Sequence, residues 1–170
     1  MSKKLIIIIS LIIVILLSVI LLYKYNQHIL SWIANPKINV CGIKLMMPEN
    51  EVKGLIGEEE QYIQGFGGYR LEYQSKGISL NFLNDRDTDF YCKVNSIEVT
   101  DSQYAIFGVS VGDEFEKSLN SIHKQGFARQ EMGFSGYWKM NMYIVLDNNG
   151  NKVQKITIGI RDRVSSSRVY

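Results

Sequence analysis

The sequence has few of the residues that usually carry catalysis, metal binding or covalent cross-links. Its 170 residues include two cysteines, two histidines and two prolines. Two cysteines are too few for a disulfide scaffold, but an even number permits one bridge, Cys41–Cys92, in an oxidising compartment. The alternative is that both are buried thiols, which pack as small apolar groups.

The usual catalytic motifs are also missing. Neither His28 nor His123 has an acidic or cysteine partner at a metal-binding spacing such as H-E-x-x-H. Ser135 lies in GFSG, which lacks the strand-to-helix context of a nucleophile elbow, so we interpret this segment as a turn. Residues 65–68 (GFGG) precede a strand rather than a helix, which argues against a phosphate loop. The sequence therefore predicts no enzyme activity, no catalytic residues and no cofactor.

Residues 84–89 (NDRDTD) contain a pattern with metal-ligand spacing. Asp85, Asp87 and Asp89 alternate as in a calcium loop, but the sixth position is Phe90 instead of Gly and the twelfth is Ser96 instead of Glu. We interpret the segment as a solvated hairpin loop and keep the three aspartates as candidate calcium ligands. A calcium site would raise the thermal stability of the protein in calcium and lower it in chelator.

The sequence does contain one long apolar run. Residues 5–22 carry no charge, and only Ser10 and Ser18 interrupt the apolar side chains. With Tyr23 the run spans about 28 Å as a helix, close to the ~30 Å hydrocarbon core of a bilayer. It is longer than a signal-peptide core, and no A-x-A cleavage pattern follows. We predict that residues 5–23 form a retained transmembrane anchor.

The form of the anchor sets the expected topology. Lys3 and Lys4 flank one side and Lys24 and Lys37 the other, so the positive-inside bias is slight. An N-terminal signal-anchor usually leaves its short basic end in the cytoplasm, so residues 1–4 are predicted to be cytoplasmic and residues 24–170 to lie outside. Beyond the anchor and its flanking Lys24, 16 basic and 17 acidic residues give a net charge of −1. The pI of about 8.4 therefore reflects the ends of the anchor. Basic residues are not clustered, which argues against nucleic-acid binding.

Residues 24–37 are predicted to be a juxtamembrane stem. Asn35-Pro36 interrupts any helix that leaves the membrane. Four apolar residues before this break suit the membrane interface: Ile29, Leu30, Trp32 and Ile33. At the other end of the chain, residues 163–170 are predicted to be a polar tail.

Residues 38–162 divide into two similar halves, 38–101 and 102–162. Each half begins with Gly and a short apolar segment (GIKL and GVSV), continues with an amphipathic helix and alternating strands, and ends on nearly the same strand, KVNSIEV or KVQKITI. Each half is too small to be stable alone. We predict an α+β domain of two tandem repeats, each a helix and about three antiparallel strands, with the helices on one face of a shared sheet.

The local signals place both helices. Pro48 suits the start of the first helix, and Gly57 can end it. In the second half Asp113 is a plausible N-cap with Glu116 three residues later, and Gly126 can end the helix.

Residues 137–146 alternate as one strand. Trp138, Met140, Met142, Ile144 and Leu146 share the apolar face. The other face carries Tyr137, Lys139 and Tyr143, which we predict as a contact surface because aromatic residues mixed with polar ones are common in interfaces. Ordinary cross-strand packing is the alternative.

The order G-[IV]-x-[LV], helix, strands, K-V-x-x-I-x-[VI] resembles the tandem-repeat domains similar to the beta-lactamase inhibitor protein. The same unit is found in small outer-membrane assembly lipoproteins and in envelope proteins of Gram-positive bacteria. The resemblance covers Gly42 to about Arg161. It implies a bacterial, extracytoplasmic, non-catalytic domain that binds a protein through its sheet face or loops, and it maps no inhibitory residues onto this chain.

We therefore predict a single-pass protein of the bacterial cell membrane whose outer domain binds a protein or cell-wall partner. One alternative is an envelope-assembly or structural protein that uses its anchor as a contact site. A hydrolase acting on envelope material is a further alternative, which the missing catalytic constellation disfavours.

Overall fold

The protein is described here from a computed structural model, which covers residues 3–130 and 136–162. It begins with helix α1 (Lys3–Lys24). The segment Lys3–Leu22 is long and apolar enough to cross a membrane, and none of it is buried against the rest of the protein. The hydroxyls of Ser10 and Ser18 donate to the carbonyls of Ile7 and Val14, both at 2.8 Å. This pairing satisfies the two polar side chains of the run within the helix itself. The helix is compatible with a membrane anchor or a signal sequence.

A second helix, α2 (Asn26–Ala34), corrects the predicted stem. Leu30, which was predicted at the membrane interface, is buried in the core of the domain together with Ala34. The side chain of Asn35 then bonds both the amide and the carbonyl of Leu45, at 2.8 and 3.1 Å. The folded domain therefore includes α2 and does not begin near Ile38.

The remaining elements fall into two series. The first is β1 (Ile38–Asn39), α3 (Glu49–Ile56), β2 (Gln61–Gly65), β3 (Gly68–Tyr73), β4 (Ile78–Leu83) and β5 (Val94–Val99). The second is β6 (Ala105–Ile106), β7 (Val109–Ser110), α4 (Phe115–Lys124), β8 (Ala128–Arg129), β9 (Tyr137–Lys139), β10 (Met142–Asn149) and β11 (Lys152–Ile160).

The strands form an antiparallel sheet of eight in the order β2-β3-β4-β5-β11-β10-β9-β8, and β1, β6 and β7 form a small second sheet. The predicted α+β class is confirmed. Each helix, α3 or α4, precedes four strands of the large sheet instead of about three. The two closing strands are neighbours at its centre, where Ile97 faces Ile158 and Val99 faces Ile156.

The two halves also share a set of backbone hydrogen bonds before their helices. In the first half the Met46 amide donates to Val94, and the Val94 amide donates to Met47. In the second half the Gly112 amide donates to Val153, and the Val153 amide donates to Asp113. Each half thus attaches its helix start to the beginning of its closing strand in the same way. Descent from a tandem repeat stays a prediction.

The core lies between the large sheet and the helices. Apolar residues alternate along the strands, as period-two patterning requires. Their buried members on the four central strands are Ile78, Leu80, Phe82, Val94, Ile97, Val99, Met142, Ile144, Leu146, Val153, Ile156, Ile158 and Ile160. Val52 of α3 and Ile122 of α4 complete this core from the helix side.

The single strand predicted over residues 137–146 is a hairpin. Met140 and Asn141 form its turn, and Met140 takes a φ of 57°. Across the turn Lys139 faces Met142, Trp138 faces Tyr143 and Tyr137 faces Ile144. Because paired residues share a face, Tyr137 and Lys139 lie on the core side and Trp138 lies on the other side, the reverse of the prediction.

Candidate functional site

The helices lie against one face of the large sheet. The Tyr69 hydroxyl donates to the Glu49 carboxylate at the start of α3. Lys139 Nζ donates to the Gln125 carbonyl, 2.8 Å away, at the end of α4. The Tyr137 ring meets the His123 ring of α4 with centroids 5.5 Å apart. We call the opposite side of this sheet the open face.

The open face carries polar residues at the positions that alternate with the core. Arg70 and Glu72 lie between the buried residues of β3, and Glu98 lies between Ile97 and Val99. Cross-strand pairs connect them into rows: Arg70 faces Asn81, and Glu98 faces both Ser79 and Thr157. Side chains of this kind on a central sheet face are in reach of one another across strands.

Arg70 joins two carboxylates on this face. Its Nε lies 2.9 Å from Glu72 Oε1, and its Nη2 lies 2.7 Å from Glu98 Oε1. Glu72 and Glu98 are only 18% and 15% exposed, so water screens these pairs weakly. Burial lowers the pKa of Arg70, but the bonds to Glu98 and Glu72 outweigh it and raise the pKa overall.

The network continues across β11 and β10. Lys155 Nζ lies 2.8 Å from Asp147 Oδ2 and 3.6 Å from Glu98 Oε2. Thr157 Oγ1 donates to Glu98 Oε2 at 3.4 Å. The hydrogen bond to Asp147 is the main reason why the pKa of Lys155 is raised. Four strands therefore contribute to one charged strip with two cations and three anions.

An aromatic pair lies beside the charged strip. The rings of Trp138 and Tyr143 are 5.3 Å apart between centroids. Tyr143 lies over Gly159, where an added Cβ would be 2.4 Å from the Tyr143 hydroxyl oxygen. Burial raises the pKa of Tyr143, so the phenol stays neutral. The absence of a side chain at Gly159 thus allows Tyr143 to lie flat across the centre of the sheet.

The predicted contact surface is therefore divided between the two faces. Tyr143 lies on the open face, but Tyr137 and Lys139 pack against α4. Arg70, Glu98 and Lys155 were not predicted from the sequence. The signal for Arg70 and Glu98 was a charged residue between two buried residues of a strand. Lys155 has a buried neighbour, Ile156, on one side only.

The aspartates of residues 84–89 contact the backbone of their own loop or a side chain of α2. The Asp87 amide donates to Asp85 Oδ1 at 3.0 Å. Asp89 Oδ2 lies 3.7 Å from His28 Nε2 of α2. Phe90 is fully buried, which explains why the sixth position is aromatic instead of Gly. Within the described ranges, no group of three or more His, Cys, Asp or Glu side chains is placed to hold a metal ion.

Both cysteines are free thiols, so the structure does not contain the Cys41–Cys92 bridge. They also differ from buried thiols, because Cys41 is exposed and Cys92 is half-buried. Cys41 Sγ lies 3.5 Å from the Tyr104 hydroxyl. Both residues have positive φ, 50° and 51°. The turn conformation of the backbone at each cysteine, rather than a bond between the two thiols, determines where their side chains lie.

By its fold, this chain is an α+β protein. The open face of its large sheet is polar and has an aromatic pair at one side. No protein-family model and no curated protein matches the chain. A solved structure, that of an extracellular protein containing a SCP domain from Bacillus anthracis str. Ames, is similar over 68% of this chain with 10% identity and a TM-score of 0.47. The match spans 44% of that protein. A likeness at this level identifies neither a family nor an activity.

Proposed function

We propose that this protein is a membrane-anchored, extracytoplasmic and non-catalytic binding protein whose open face contacts a partner protein. The observation that carries the proposal is the open face itself. Its charged strip and its aromatic pair lie side by side on a surface that the described helices leave uncovered. Arg, Trp and Tyr are the residues that contribute most to binding at protein interfaces.

The composition of the open face favours a protein partner over a small substrate. Its two cations are already paired with its three anions, and this arrangement favours a partner of complementary charge pattern rather than a single ion. The residues form a broad surface across four strands. The resemblance to tandem-repeat domains that bind proteins through their sheet face or loops supports the same proposal, as do the missing catalytic motifs.

The junction after α1 supports a retained anchor. The Tyr25 amide donates to the Leu21 carbonyl at 2.9 Å, and the Ile29 amide donates to the Tyr25 carbonyl at 3.0 Å. Helical bonding thus runs from α1 to α2 without an extended segment, and the junction has no A-x-A pattern. With Lys3 and Lys4 on the cytoplasmic side, the domain lies outside a bacterial cell membrane.

Site-specific photo-cross-linking of the full-length protein in intact cells tests the proposal. A benzophenone amino acid is placed at Thr157 or Val145, which are half-buried on the open face. Matched controls carry it at Leu55 or Glu116, which are exposed on α3 and α4. We expect one discrete protein adduct from the open-face positions alone. A Thr157→Arg change, introduced together with the probe at Val145, should abolish that adduct while leaving the thermal melting curve unchanged.

Two other outcomes would contradict the proposal. Adducts of equal yield from the helix-side positions would show that the open face has no special role. Adducts that disappear when α1 is replaced by an unrelated apolar helix, but persist in the Thr157→Arg variant, would instead support the envelope-assembly alternative. In that case the anchor is the contact site.

A further inference from the structure

Helix α2 has its polar and apolar sides in an unusual arrangement. The side that faces the domain is mostly polar, and its buried residues are Asn26, Gln27, Leu30, Ser31 and Ala34. The side that faces away is mostly apolar and consists of Ile29, Trp32 and Ile33 with the N-cap Tyr25; His28 is also exposed and contacts Asp89 of the 84–89 loop. A surface helix of a water-soluble protein normally has the opposite arrangement.

Two of the inner polar residues, Gln27 and Ser31, have specific partners. Gln27 Nε2 donates to Asp162 Oδ1 at 2.7 Å in a buried contact. Ser31 Oγ donates to the His28 carbonyl at 2.9 Å. The Ser31 bond lies within the helix and satisfies a buried hydroxyl. The Gln27–Asp162 bond fixes which side of α2 faces the domain, because turning the helix would leave Asp162 buried without this amide. The apolar side is thereby held outward.

The outer side of α2 is strongly exposed. Trp32 is 77% exposed and Tyr25 is 46% exposed, while Ile29 and Ile33 are partly exposed between them. These residues recur at the three- and four-residue spacing of one helical stripe. Trp and Tyr are the residue types enriched where a membrane meets water, since each has an apolar body and one polar group.

The position of α2 identifies the occupant of this stripe. Only Tyr25 separates α1 from α2, and helical hydrogen bonds cross the junction. If α1 crosses the bilayer, α2 begins at the depth of the lipid head groups. We infer that the outer side of α2 lies in the interface of the same bilayer and holds the domain in one orientation on the membrane. This inference rests on the proposed anchor, and it adds a second membrane contact.

The two tryptophans of the chain allow a direct test. A full-length Trp138→Phe variant reports on Trp32 alone, and a Trp32→Phe variant reports on Trp138, which lies on the open face. Both are reconstituted in phosphatidylcholine–phosphatidylglycerol vesicles and oriented with the domain outside. Quenching is measured with lipids that carry a nitroxide near the head group and, separately, with iodide in the water.

We expect the nitroxide lipid to quench Trp32 several-fold more strongly than Trp138, and iodide to quench Trp138 more strongly than Trp32. Trp32 that is open to iodide and insensitive to the lipid quencher would overturn the inference. Equal lipid quenching of both tryptophans would overturn the single orientation.

Vesicle flotation after an alkaline wash separates this inference from the proposed anchor. Protein that stays with the vesicles retains the anchor, so a negative quenching result then counts against α2 alone. Protein that is released from the vesicles counts against the anchor, and the inference falls with it. Unchanged circular dichroism of both variants excludes misfolding as the cause.

Discussion

Gly68 lies at the start of β3, directly beside the backbone of β4. A Cβ at this position would lie 2.4 Å from the Phe82 carbonyl oxygen, which is part of a paired strand and cannot move aside. Gly54 has the opposite environment, because it lies inside α3 with no atom within 4 Å of an added Cβ. At the scale of single residues, the two glycines therefore have opposite effects on stability.

We expect Gly68→Ala to lower the free energy of unfolding by about 1–3 kcal/mol, as overpacking does. Gly54→Ala should raise it by roughly 0.5–1 kcal/mol, because alanine loses less conformational freedom in a helix. Urea denaturation of the full-length protein in detergent micelles, followed by circular dichroism, measures both. Changes of the same sign in the two variants would contradict this account.

At the scale of secondary-structure elements, Arg70 connects β3 to β5 through Glu72 and Glu98. Replacing it with Met leaves two poorly exposed carboxylates without a cation between them. We expect Arg70→Met to destabilise the protein by about 1–3 kcal/mol, the range for lost hydrogen bonds to charged groups.

Lys117 provides the control for Arg70. Its ion pair with Glu114 is at the surface, with the lysine 81% exposed. Exposed pairs contribute little, so Lys117→Met should not change the urea midpoint measurably. A loss as large as that of Arg70→Met would show that general charge balance, rather than the network of the open face, determines stability.

The sequence predicted elements whose signals are local. Helix α3 ends at Ile56 and is followed by Gly57, whose φ of 89° and ψ of −172° favour glycine. Helix α4 has Glu114 as its N-cap, while the carboxylate of Asp113, the predicted cap, accepts the Ser110 amide instead. Both helices were found because short patterns of apolar and turn residues determine them.

Two features escaped prediction because their causes are not local. The turn at Met140 and Asn141 has neither Gly nor Pro, so apolar alternation continued through it and the faces of Tyr137 and Lys139 were reversed. Which side of α2 faces the domain depends on the hydrogen bond from Gln27 to Asp162, and these two residues are 135 positions apart in the sequence. Hydropathy alone assigned Leu30 to the membrane interface together with Ile29, Trp32 and Ile33, although Leu30 is buried in the core.

At the scale of the whole molecule, α2 determines where the folding unit begins. We expect a chain that starts at Lys24 to show a cooperative thermal transition by circular dichroism. A chain that starts at Ile38 loses two buried apolar residues, Leu30 and Ala34, together with the partner of Asp162. It should melt at a much lower temperature or without cooperativity.

Single substitutions on α2 distinguish core packing from chain length. Leu30→Ala in the full-length protein should cost about 2–5 kcal/mol, as for other buried leucines. Trp32→Ala in detergent should change stability by less than about 0.5 kcal/mol, because the side chain is mostly exposed. Comparable losses from the two substitutions would show that α2 does not pack as described.

The central pairing of β5 with β11 also sets the order in which the chain can fold. Ile97 can pair with Ile158 only after β11 has been made. One edge of β5 therefore stays unpaired until nearly all of the domain is present. Such distant contacts slow folding, because a long loop has to close before they form. If the domain crosses the membrane behind its anchor, as proposed, it therefore stays unfolded during most of its passage. The last strand completes the sheet and, through Asp162, fixes α2 in place.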